Sequence, residues 1–416
     1  MKILYFAPHQ FWPLTTGARL RDYQLARKLA ARGPVTFVEM CSAGEEHQAP
    51  PEDAGFSSAV TLYKDRMYTP SKIARGLAGP IPLTVLNCWS PQSASQLADV
   101  LRSRPFDTVQ IEGVHLMEYL PIIQEAPGSP AIVVDWHNIE SEMMWRYAKT
   151  ARNWAKKIAA RRTAKLIERA EDRLLDSYVT HTVTSERERQ KLLSRRPSAN
   201  IQVIPNGVDA GYFSVKEIAQ ACRRSGQQAS KPTILFVGSM DYHANIDAVT
   251  WFSRKVWPSI ARNHPELRFT IVGRDPTRDV RALASDRIQV TGTVDDVRSY
   301  YASAIAAIVP LRSGSGTRLK ILEAMAAGVP VISTRLGAEG IEVVDNVHLL
   351  LADTGSEMAA AVHRVASSAE TRTRLSQLAR ELVCKVYDWS VIGKKLCAIH
   401  EDLVESRSVR SLCKVS

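Results

Sequence analysis

The sequence predicts an α/β protein built from two doubly wound, parallel-sheet domains. Short runs rich in Val, Ile and Leu alternate with amphipathic helical runs, and this alternation starts a second time after a polar stretch near the middle of the chain. Because parallel strands need crossover connections, such alternation is typical of a parallel sheet with helices on both faces. A length of 416 residues also exceeds one ordinary core and suggests two or three domains.

The first domain is predicted to span residues 1–205. Its opening MKILYFAPHQ starts like a signal peptide, but the apolar run is short and ends at Pro8, so we interpret it as a buried strand. A helix over 19–33 carries one apolar stripe and ends at Gly33. Strands are predicted at 2–8, 35–40, 107–113, 131–138 and 177–185.

The second domain is predicted to span residues 206–387, with a crossover helix and tail at 388–416. The stretch 214–232 is polar and is interpreted as a linker or surface excursion. Strands are predicted at 233–240, 268–275, 287–294, 306–312, 329–336 and 348–353, and an amphipathic helix at 388–404.

The composition favours an anionic partner and a reducing compartment. The 54 Lys and Arg residues outnumber the 43 Asp and Glu residues, which gives a net charge of +11. This excess fits nucleic acid, a membrane surface or a phosphorylated ligand without choosing among them. The six cysteines include no C-x-x-C pair, which argues against zinc and against a disulfide framework. No apolar run approaches the ~18 residues that span a bilayer, so we expect a cytoplasmic protein.

The most informative stretch is SGSGTRLKILEAMAAGVPVIST, residues 313–334. Its first four residues lack bulk, so a ligand can approach the main chain, and Thr317 is predicted to cap the helix that follows. Free N–H groups at the helix start, with Arg318 and Lys320 beside them, favour a phosphate. Glu323 lies one to two turns further on, where it can accept hydrogen bonds from ribose hydroxyls. A nucleoside diphosphate site is one interpretation, and an ordinary strand–loop–helix junction with surface charges is the other.

The segment LEAMAAGVPVIST resembles the donor-binding segment of glycosyltransferase family 4, which are retaining enzymes of the GT-B fold. The resemblance covers nearly the whole chain, because other landmarks follow in the family's order: Thr16-Gly17, DWHN (135–138), VIPNGVD (203–209), ILFVGSM (234–240), VTGTV (290–294) and DWS (388–390). It implies two Rossmann-like domains that face each other across a cleft, with the last helix crossing back onto the first domain.

The resemblance also implies an activity. It implies a hexosyltransferase that moves a sugar, with retained configuration, from a UDP- or GDP-linked donor to a saccharide or lipid-linked saccharide, in surface polysaccharide or glycolipid synthesis. It implies no metal and no other cofactor, since cationic side chains hold the departing diphosphate. The sequence contains no D-x-D motif, although it contains the pair Asp295-Asp296.

Carried over position by position, the resemblance assigns donor contacts in the second domain. Glu323 corresponds to the residue that binds the ribose, and the backbone of Thr293 and Val294 to the segment that pairs with the base. The family's earlier glutamate is replaced by Ser315. We expect Ser315 and the neighbouring Gly316 and Thr317 to take over its contacts, or sugar recognition to differ.

In this sequence, the positive charge that neutralises the diphosphate must come from a different pair of residues. Many relatives carry a basic pair after the second domain's first strand, and that pair is missing after Gly238. We infer that Arg318 and Lys320 replace it and stabilise the leaving phosphate, with Arg274 as a rival supplier.

In the first domain, the resemblance points to two residues and leaves two unassigned. Gly17 resembles the glycine of a mobile loop near the donor phosphates, and a plain turn glycine is the alternative. His137 corresponds to a histidine beside the reacting sugar and is expected to hydrogen-bond the sugar or the acceptor. Glu112 and His115 end another strand but match no motif.

Residues 149–165 contain seven basic residues and no acid. Apolar residues from Tyr147 to Tyr178 recur at spacings of three and four, which predicts one helix with a single apolar stripe. A solvated basic face over a core stripe is one interpretation. Peripheral docking on anionic lipid at the inner face of the cell membrane, through 149–178, is the other.

Three rival functions remain open on the sequence alone. A nucleotide-sugar 2-epimerase of the same fold would convert the donor without an acceptor. A non-catalytic basic binding protein is possible because Ser315 replaces a glutamate. A nucleic-acid binder would fit the pI of about 9.4, but the basic residues are not interleaved with aromatic ones and no helix-turn-helix or zinc signature occurs, so we expect no nucleic-acid partner.

Overall fold

The computed structural model describes residues 1–48, 51, 54–151, 153–225, 231–314 and 316–412. Ser315 and residues 226–230 therefore lie outside the described residues. The chain divides into two units: unit 1 contains Met1–Pro205 and the residues from Ile392 on, and unit 2 contains Asn206–Val391.

Unit 1 is built on a parallel sheet of seven strands within the described residues. The strands are β1 (Ile3–Phe6), β2 (Val35–Ser42), β3 (Ser58–Lys64), β4 (Thr108–Glu112), β5 (Ala131–Trp136), β6 (Thr180–Val183) and β7 (Asn200–Val203). Their order in the sheet is β3-β2-β1-β4-β5-β6-β7. The winding reverses between β1 and β4, which makes this edge the topological switch point where ligands of such sheets bind.

Within the described part of unit 1, eight helices connect these strands. They are α1 (Gly17–Ala30), α2 (Pro70–Ala78), α3 (Leu83–Cys88), α4 (Pro91–Ser103), α5 (Leu120–Gln124), α6 (Glu140–Thr150), α7 (Trp154–Leu175) and α8 (Glu186–Arg195). A 3-10 turn at Val114–Tyr119 follows β4. Every residue of β1 and β2 is buried, as expected for strands covered by helices on both faces.

Unit 2 contains a parallel sheet of six described strands in the order β10-β9-β8-β11-β12-β13. The strands are β8 (Thr233–Val237), β9 (Arg268–Val272), β10 (Ile288–Val290), β11 (Ala304–Val309), β12 (Val331–Ser333) and β13 (Leu350–Leu351). Here the winding reverses between β8 and β11, so the switch point of this sheet lies at their carboxyl ends.

The helices of unit 2 are α9 (Val215–Ser225), α10 (His243–Trp251), α11 (Trp257–Asn263), α12 (Arg278–Arg281), α13 (Arg298–Tyr301), α14 (Leu319–Ala326), α15 (Gly355–Ser367) and α16 (Ala369–Leu382). π-helical turns at Phe252–Val256 and Val383–Tyr387 follow α10 and α16. The last helix, α17 (Trp389–Leu412), belongs to unit 1 from Ile392 on. Its His400 is fully buried against β4, where Nδ1 lies 2.9 Å from Thr108 Oγ1.

The stretch 214–232 was interpreted as a linker or a surface excursion, and the linker interpretation is wrong for residues 215–225. They form α9, in which Ile218 and Ala221 are buried. The mean composition of the stretch is polar, but its few apolar residues lie one turn apart and face the core, which is enough to hold an amphipathic helix.

The prediction of one helix from Tyr147 to Tyr178 was also wrong. α6 ends at Thr150, Ala151 has an extended backbone, and α7 starts after Asn153. The side chain of Asn153 accepts a hydrogen bond from the Ala155 N–H at 2.8 Å, so it is the N-cap of a new helix. Within the described residues, no helix is long and apolar enough to cross a bilayer.

Candidate functional site

The first group of predicted site residues meets at the switch point of unit 2. Gly238 directly follows β8, and the glycine-rich loop leads from β11 to α14. β8 and β11 are hydrogen-bonded neighbours, so residues after their carboxyl ends lie at one edge of the sheet. The topology therefore brings together segments that are about eighty residues apart in sequence.

The loop before α14 requires glycine at two positions. Gly314 has φ 107° and Gly316 has φ 78°, values that side chains rarely tolerate. A Cβ on Gly314 would also lie 2.9 Å from Tyr242 Oη and 3.1 Å from Arg318 Nη2. The main chain here is therefore packed closely by two polar side chains, and no larger residue fits.

Thr317 does not cap α14, which corrects the prediction from the sequence. The helix begins at Leu319 and its N-cap is Arg318, whose side chain makes no capping hydrogen bond. The helix therefore begins one residue later than a Thr317 N-cap would place it. Neither the Thr317 side chain nor the Arg318 side chain makes a capping hydrogen bond to the first N–H groups of α14. These N–H groups carry the positive end of the helix dipole.

Lys320 is the best-defined cation of this edge. Its Nζ donates a hydrogen bond to Asn245 Oδ1 at 2.8 Å and lies 4.2 Å from the centre of the Phe236 ring. Burial, and then the charge of Arg318, lower the pKa of Lys320 to about 7. A Cβ on Gly238 would lie 2.5 Å from Nζ, so this glycine leaves the space that the ammonium group occupies.

Arg318 and Glu323 complete the residues contributed by α14 and its N-cap. The Arg318 guanidinium is buried and donates to the carbonyl oxygen of Gly316. Burial raises the pKa of Glu323, and the charge of Lys320 opposes that rise. Two cations and one carboxyl group thus lie within six residues of sequence at one end of a helix. Such a set suits an anionic ligand that also carries hydroxyl groups.

Arg274 borders this edge of unit 2, whereas the predicted base-contacting residues line a separate groove. Arg274 Nε donates to Ser239 Oγ at 3.0 Å, and its Nη2 lies 3.7 Å from Asp241 Oδ2. It therefore borders the segment after β8 but is paired with an acid. Thr293 and Val294 follow β10 and line a separate groove of about 480 Å³.

A second group of polar residues meets at the carboxyl ends of β4 and β5 in unit 1. His137 Nε2 lies 2.8 Å from Glu112 Oε2, 3.0 Å from Asp22 Oδ1 and 3.6 Å from Asp135 Oδ2. Asp22 is also 3.0 Å from His9 Nε2. One imidazole is thus held by carboxylates from a helix and two strands, and we call Asp22, Glu112 and His137 the histidine cluster.

Charge pairing dominates the titration of the histidine cluster. Burial favours a lower pKa for His137, but Asp22 and Glu112 outweigh it and raise the pKa well above its ordinary value. Burial favours a higher pKa for Asp22, but His137 and His9 outweigh it and lower the pKa. Burial and the neighbouring Asp135 raise the pKa of Glu112 to about 8, against the opposing effect of His137. The pairing therefore favours the protonated imidazole, which acts as a hydrogen-bond donor.

The histidine cluster contains donor atoms that could hold a metal ion. One ligand atom of each of its residues lies within 4.8 Å of the others. Metal binding would require His137 and Glu112 to lose their protons. The raised pKa of both groups disfavours that loss at neutral pH.

A buried ion pair supports the cluster from behind. Arg21 donates to both oxygens of Asp135, at 2.7 and 2.8 Å, and also to the carbonyl oxygens of Pro205 and Ile204. Thr182 Oγ1 donates to Asp135 at 2.6 Å. The sequence reasoning missed Arg21, Asp22 and Asp135. The available signal was Asp135 itself, a carboxylate inside an otherwise apolar strand.

Gly17 occupies a different setting from the one expected, and His115, which matched no motif, is a neutral imidazole. Gly17 is the first residue of α1, after the N-cap Thr16, and does not belong to a loop as predicted. The Thr16 side chain accepts a hydrogen bond from the Arg19 N–H, so Thr16 is the N-cap of α1. Gly17 is therefore already part of the helix. Burial lowers the pKa of His115 to about 4, which keeps it neutral at physiological pH.

Comparisons with known proteins agree with this architecture. The model of Glycosyltransferase Family 4 matches residues 17–212, and the model of Glycosyl transferases group 1 matches residues 231–368. The two matches follow each other along the chain and fall on units 1 and 2. The chain belongs to the group 1 glycosyltransferases of family 4.

One related protein and two solved structures are similar to this chain. The phosphatidyl-myo-inositol mannosyltransferase of Mycolicibacterium smegmatis is 29% identical over 205 residues, 48% of this chain and 51% of the relative, so the chain matches about half of that relative's length. Sucrose-phosphate synthase from Thermosynechococcus elongatus has a TM-score of 0.73 at 18% identity, covering 98% of this chain and 100% of the other. Anabaena Alr3699/HepE, in complex with UDP-glucose, has a TM-score of 0.64 at 14% identity, covering 97% and 100%. These similarities show the GT-B fold, as the sequence predicted.

Proposed function

We propose that this chain transfers a hexose from a nucleoside diphosphate to a saccharide or lipid-linked saccharide, with retention of the anomeric configuration. The observation that carries the proposal is the edge of unit 2 where Lys320 lies against Gly238 and the glycine-rich loop meets α14. A buried ammonium group with a pKa near 7 gains most from an anionic ligand, because the ligand restores its charge. The complex of Alr3699/HepE with UDP-glucose supports a nucleotide-sugar ligand.

The residues of unit 2 act mainly by electrostatics in this proposal. The bond from the sugar to the diphosphate breaks, and the same sugar carbon bonds to an acceptor hydroxyl oxygen on the same face. The hydroxyl proton passes to the departing phosphate, on which negative charge grows. Lys320, Arg318 and the N–H groups of α14 stabilise that charge more strongly than they stabilise the ground state. Glu323 accepts hydrogen bonds from the ribose. The backbone of Thr293 and Val294 contacts the base, and Gly17, Ser315 and Arg274 stay predicted contacts of the donor. Neither a metal nor another cofactor has a step in the reaction.

His137 is proposed to hydrogen-bond the sugar or the acceptor. Its charge is favoured by Asp22, and Asp22 and Glu112 fix its orientation, so it donates a hydrogen bond and does not serve as a general base. His137→Gln should therefore lower kcat while leaving the affinity for UDP nearly unchanged. Equal losses in both would contradict this role.

A thermal-shift series with UDP, GDP and their common sugar conjugates tests the donor. We expect one nucleotide to raise the melting temperature, and Lys320→Ala to abolish the shift, while Lys255→Ala, an exposed cation of the same unit, keeps it. Transfer should be lost in Glu323→Ala and kept in Glu370→Ala, an exposed acid on α16. No shift with any nucleotide sugar would overturn the proposed function.

An epimerase is the second candidate, because the histidine cluster gathers carboxyl groups and an imidazole of the kind that such chemistry needs. Incubation of the donor without an acceptor separates the two functions. An epimerase converts the donor alone, whereas the proposed transferase leaves its sugar configuration unchanged.

We further propose that the chain works at the inner face of the cell membrane, in surface polysaccharide or glycolipid synthesis. Trp154 and Ile158 at the start of α7 are 76% and 57% exposed, and basic residues surround them. The name of the mycobacterial relative includes a lipid acceptor. Vesicle sedimentation at low and high salt tests this docking: absence of binding to anionic vesicles at low salt would end it. Gel shifts at physiological salt should show no nucleic-acid binding.

A further inference from the structure

A groove of about 590 Å³ lies between α6 and α7 of unit 1. Its apolar wall is formed by Trp145, Ile158 and Leu166, and its polar wall by four basic side chains, Arg161, Arg162, Lys165 and Arg169. The volume falls in the range of small-molecule sites, ~300–1,000 Å³. The groove thus combines a cationic wall with an apolar one, and neither belongs to the donor site of unit 2.

Three of the cations form a row that lacks counterions. Arg161, Lys165 and Arg169 follow each other at intervals of four residues on α7, so they lie on one face of the helix. All three are exposed, and within the described residues none makes a hydrogen bond or an ion pair. Like charges at this spacing destabilise a helix, so an anion bound along the row would remove a cost that the free protein carries.

The fourth cation fixes the neighbouring helix. Arg162 donates from Nε to the carbonyl oxygen of Leu77 at 2.5 Å and from Nη2 to that of Gly79 at 3.0 Å. These bonds hold the end of α2 against α7. Leu77 is 51% exposed there, and Ile158, one turn before Arg162, is 57% exposed. Ile158 therefore gives the groove an exposed apolar side chain, and Leu77 is a second exposed apolar side chain at the end of the neighbouring α2.

We propose that this groove binds the phosphate group of a membrane lipid, with the phosphate on the Arg161–Lys165–Arg169 row and the start of the lipid chain against Trp145 and Ile158. The two walls match the two parts of such a molecule, and a soluble phosphate would leave the apolar wall unused. Tryptophan also favours the membrane–water boundary, where its ring is apolar and its N–H is hydrated. This inference rests on the proposed docking at a membrane and names the lipid group that docking recognises.

Vesicle binding by charge-matched variants tests the site. The row variant R161Q/K165Q/R169Q removes three positive charges from α7, and the control variant K149Q/K156Q/K157Q removes three from α6 and α7. Only the row variant changes the groove. On phosphatidylcholine vesicles that contain phosphatidic acid, general attraction between basic residues and the anionic surface predicts equal losses of affinity for the two variants. The site predicts that the row variant loses at least about tenfold more affinity than the control. Equal losses would overturn the proposal.

Three further measurements keep the result unambiguous. Ile158→Ser leaves the charge unchanged and alters an exposed position, so the fold should persist while vesicle affinity falls. Unchanged affinity would show that the apolar wall does not contribute to binding.

Glycerol 3-phosphate should not compete with the vesicles, and efficient competition would show that the row binds a soluble phosphate. The nucleotide-sugar thermal shift should be the same in wild type and in the row variant. Failure of that shift in the wild type would count against the proposed transferase and leave the lipid result standing.

Discussion

Glu112 Oε2 lies 2.8 Å from His137 Nε2, and this contact is one end of a buried polar row along β4. Gln110 Nε2 donates to Glu112 Oε1 at 2.7 Å, and His400 Nε2 lies 3.0 Å from Gln110 Oε1. At the other end, His400 Nδ1 lies 2.9 Å from Thr108 Oγ1. Alternate residues of one strand thus connect the last helix with the histidine of the candidate site. A substitution at one end of this row should therefore alter the hydrogen bonding at the other end.

Glu112→Gln should change how stability depends on pH. The folded-state pKa of about 8 lies above the ordinary value of 4.5, so the native protein binds more protons than the unfolded chain between these pH values. Stability therefore falls as pH rises through this window, and glutamine removes that fall. We expect the variant to be about 1–3 kcal/mol more stable than wild type at pH 8 and equal to it near pH 4, by urea unfolding.

Glu125→Gln, at an exposed position of the same unit, is the control and should leave the profile unchanged. If Glu112→Gln were less stable than wild type at pH 8, the glutamate would be ionised and paired in the native state, and the assignment of a raised pKa would be wrong.

Asp22→Asn should lower the pKa of His137. The charge of Asp22 is the largest of the effects that raise this pKa, and its carboxylate lies 3.0 Å from His137 Nε2. A raised histidine pKa contributes stability that is present below the unfolded value of ~6.5 and lost as pH rises through the folded value. The variant should therefore lose stability mainly below pH ~6.5, by about 3 kcal/mol.

NMR titration of the His137 ring is the direct measurement for Asp22→Asn, with Asp99→Asn as a surface control. A His137 pKa that does not move in the Asp22 variant would show that Glu112 alone sets the charge of the ring.

The fold class could be predicted because its signal is local. Apolar strand runs and amphipathic helices are visible in the sequence, and their alternation implies parallel sheets, which the structure confirms. The strand β3 was missed because it lies at the edge of its sheet, where only Leu62 and Lys64 of its seven residues are buried. An edge strand lacks the continuous apolar run that marks a central strand.

The candidate site was predictable only in part, because its geometry is not local. The loop chemistry around Arg318 and Lys320 can be read from neighbouring residues. The contact of Lys320 with Asn245 joins residues 75 positions apart, and that of Arg21 with Asp135 joins residues 114 apart. Such pairs follow from which strands are neighbours, and no spacing in the sequence reveals them.

Donor affinity should fall as pH rises above neutrality. The pKa of Lys320 is about 7 in the free protein, and a bound diphosphate would raise it, so binding takes up a proton at higher pH. Well below pH 7 the ammonium group is already charged and affinity is constant. Above pH 7 we expect the Kd to rise about tenfold per pH unit, until the pKa of the complex is reached.

Calorimetry in buffers of different ionisation enthalpy should detect this proton uptake at pH 8. Lys320→Arg stays charged throughout and should bind with little pH dependence. A wild-type Kd that is constant from pH 6 to pH 9 would show that Lys320 does not contact the donor.

Gly238→Ala should weaken donor binding through Lys320. The new methyl group would lie 2.5 Å from Nζ and 2.9 Å from Asn245 Nδ2, so the lysine side chain must move. Because that side chain is flexible, the loss of folding stability should stay near 1 kcal/mol, whereas the Kd for the donor should rise at least about tenfold.

A double-mutant cycle separates this effect through Lys320 from a general distortion of the loop. In the Lys320→Ala background the alanine meets no ammonium group, and its further effect on Kd should be less than about twofold. Additive losses would mean that Gly238 acts through Asn245 or through its own backbone, and that the lysine does not carry the effect.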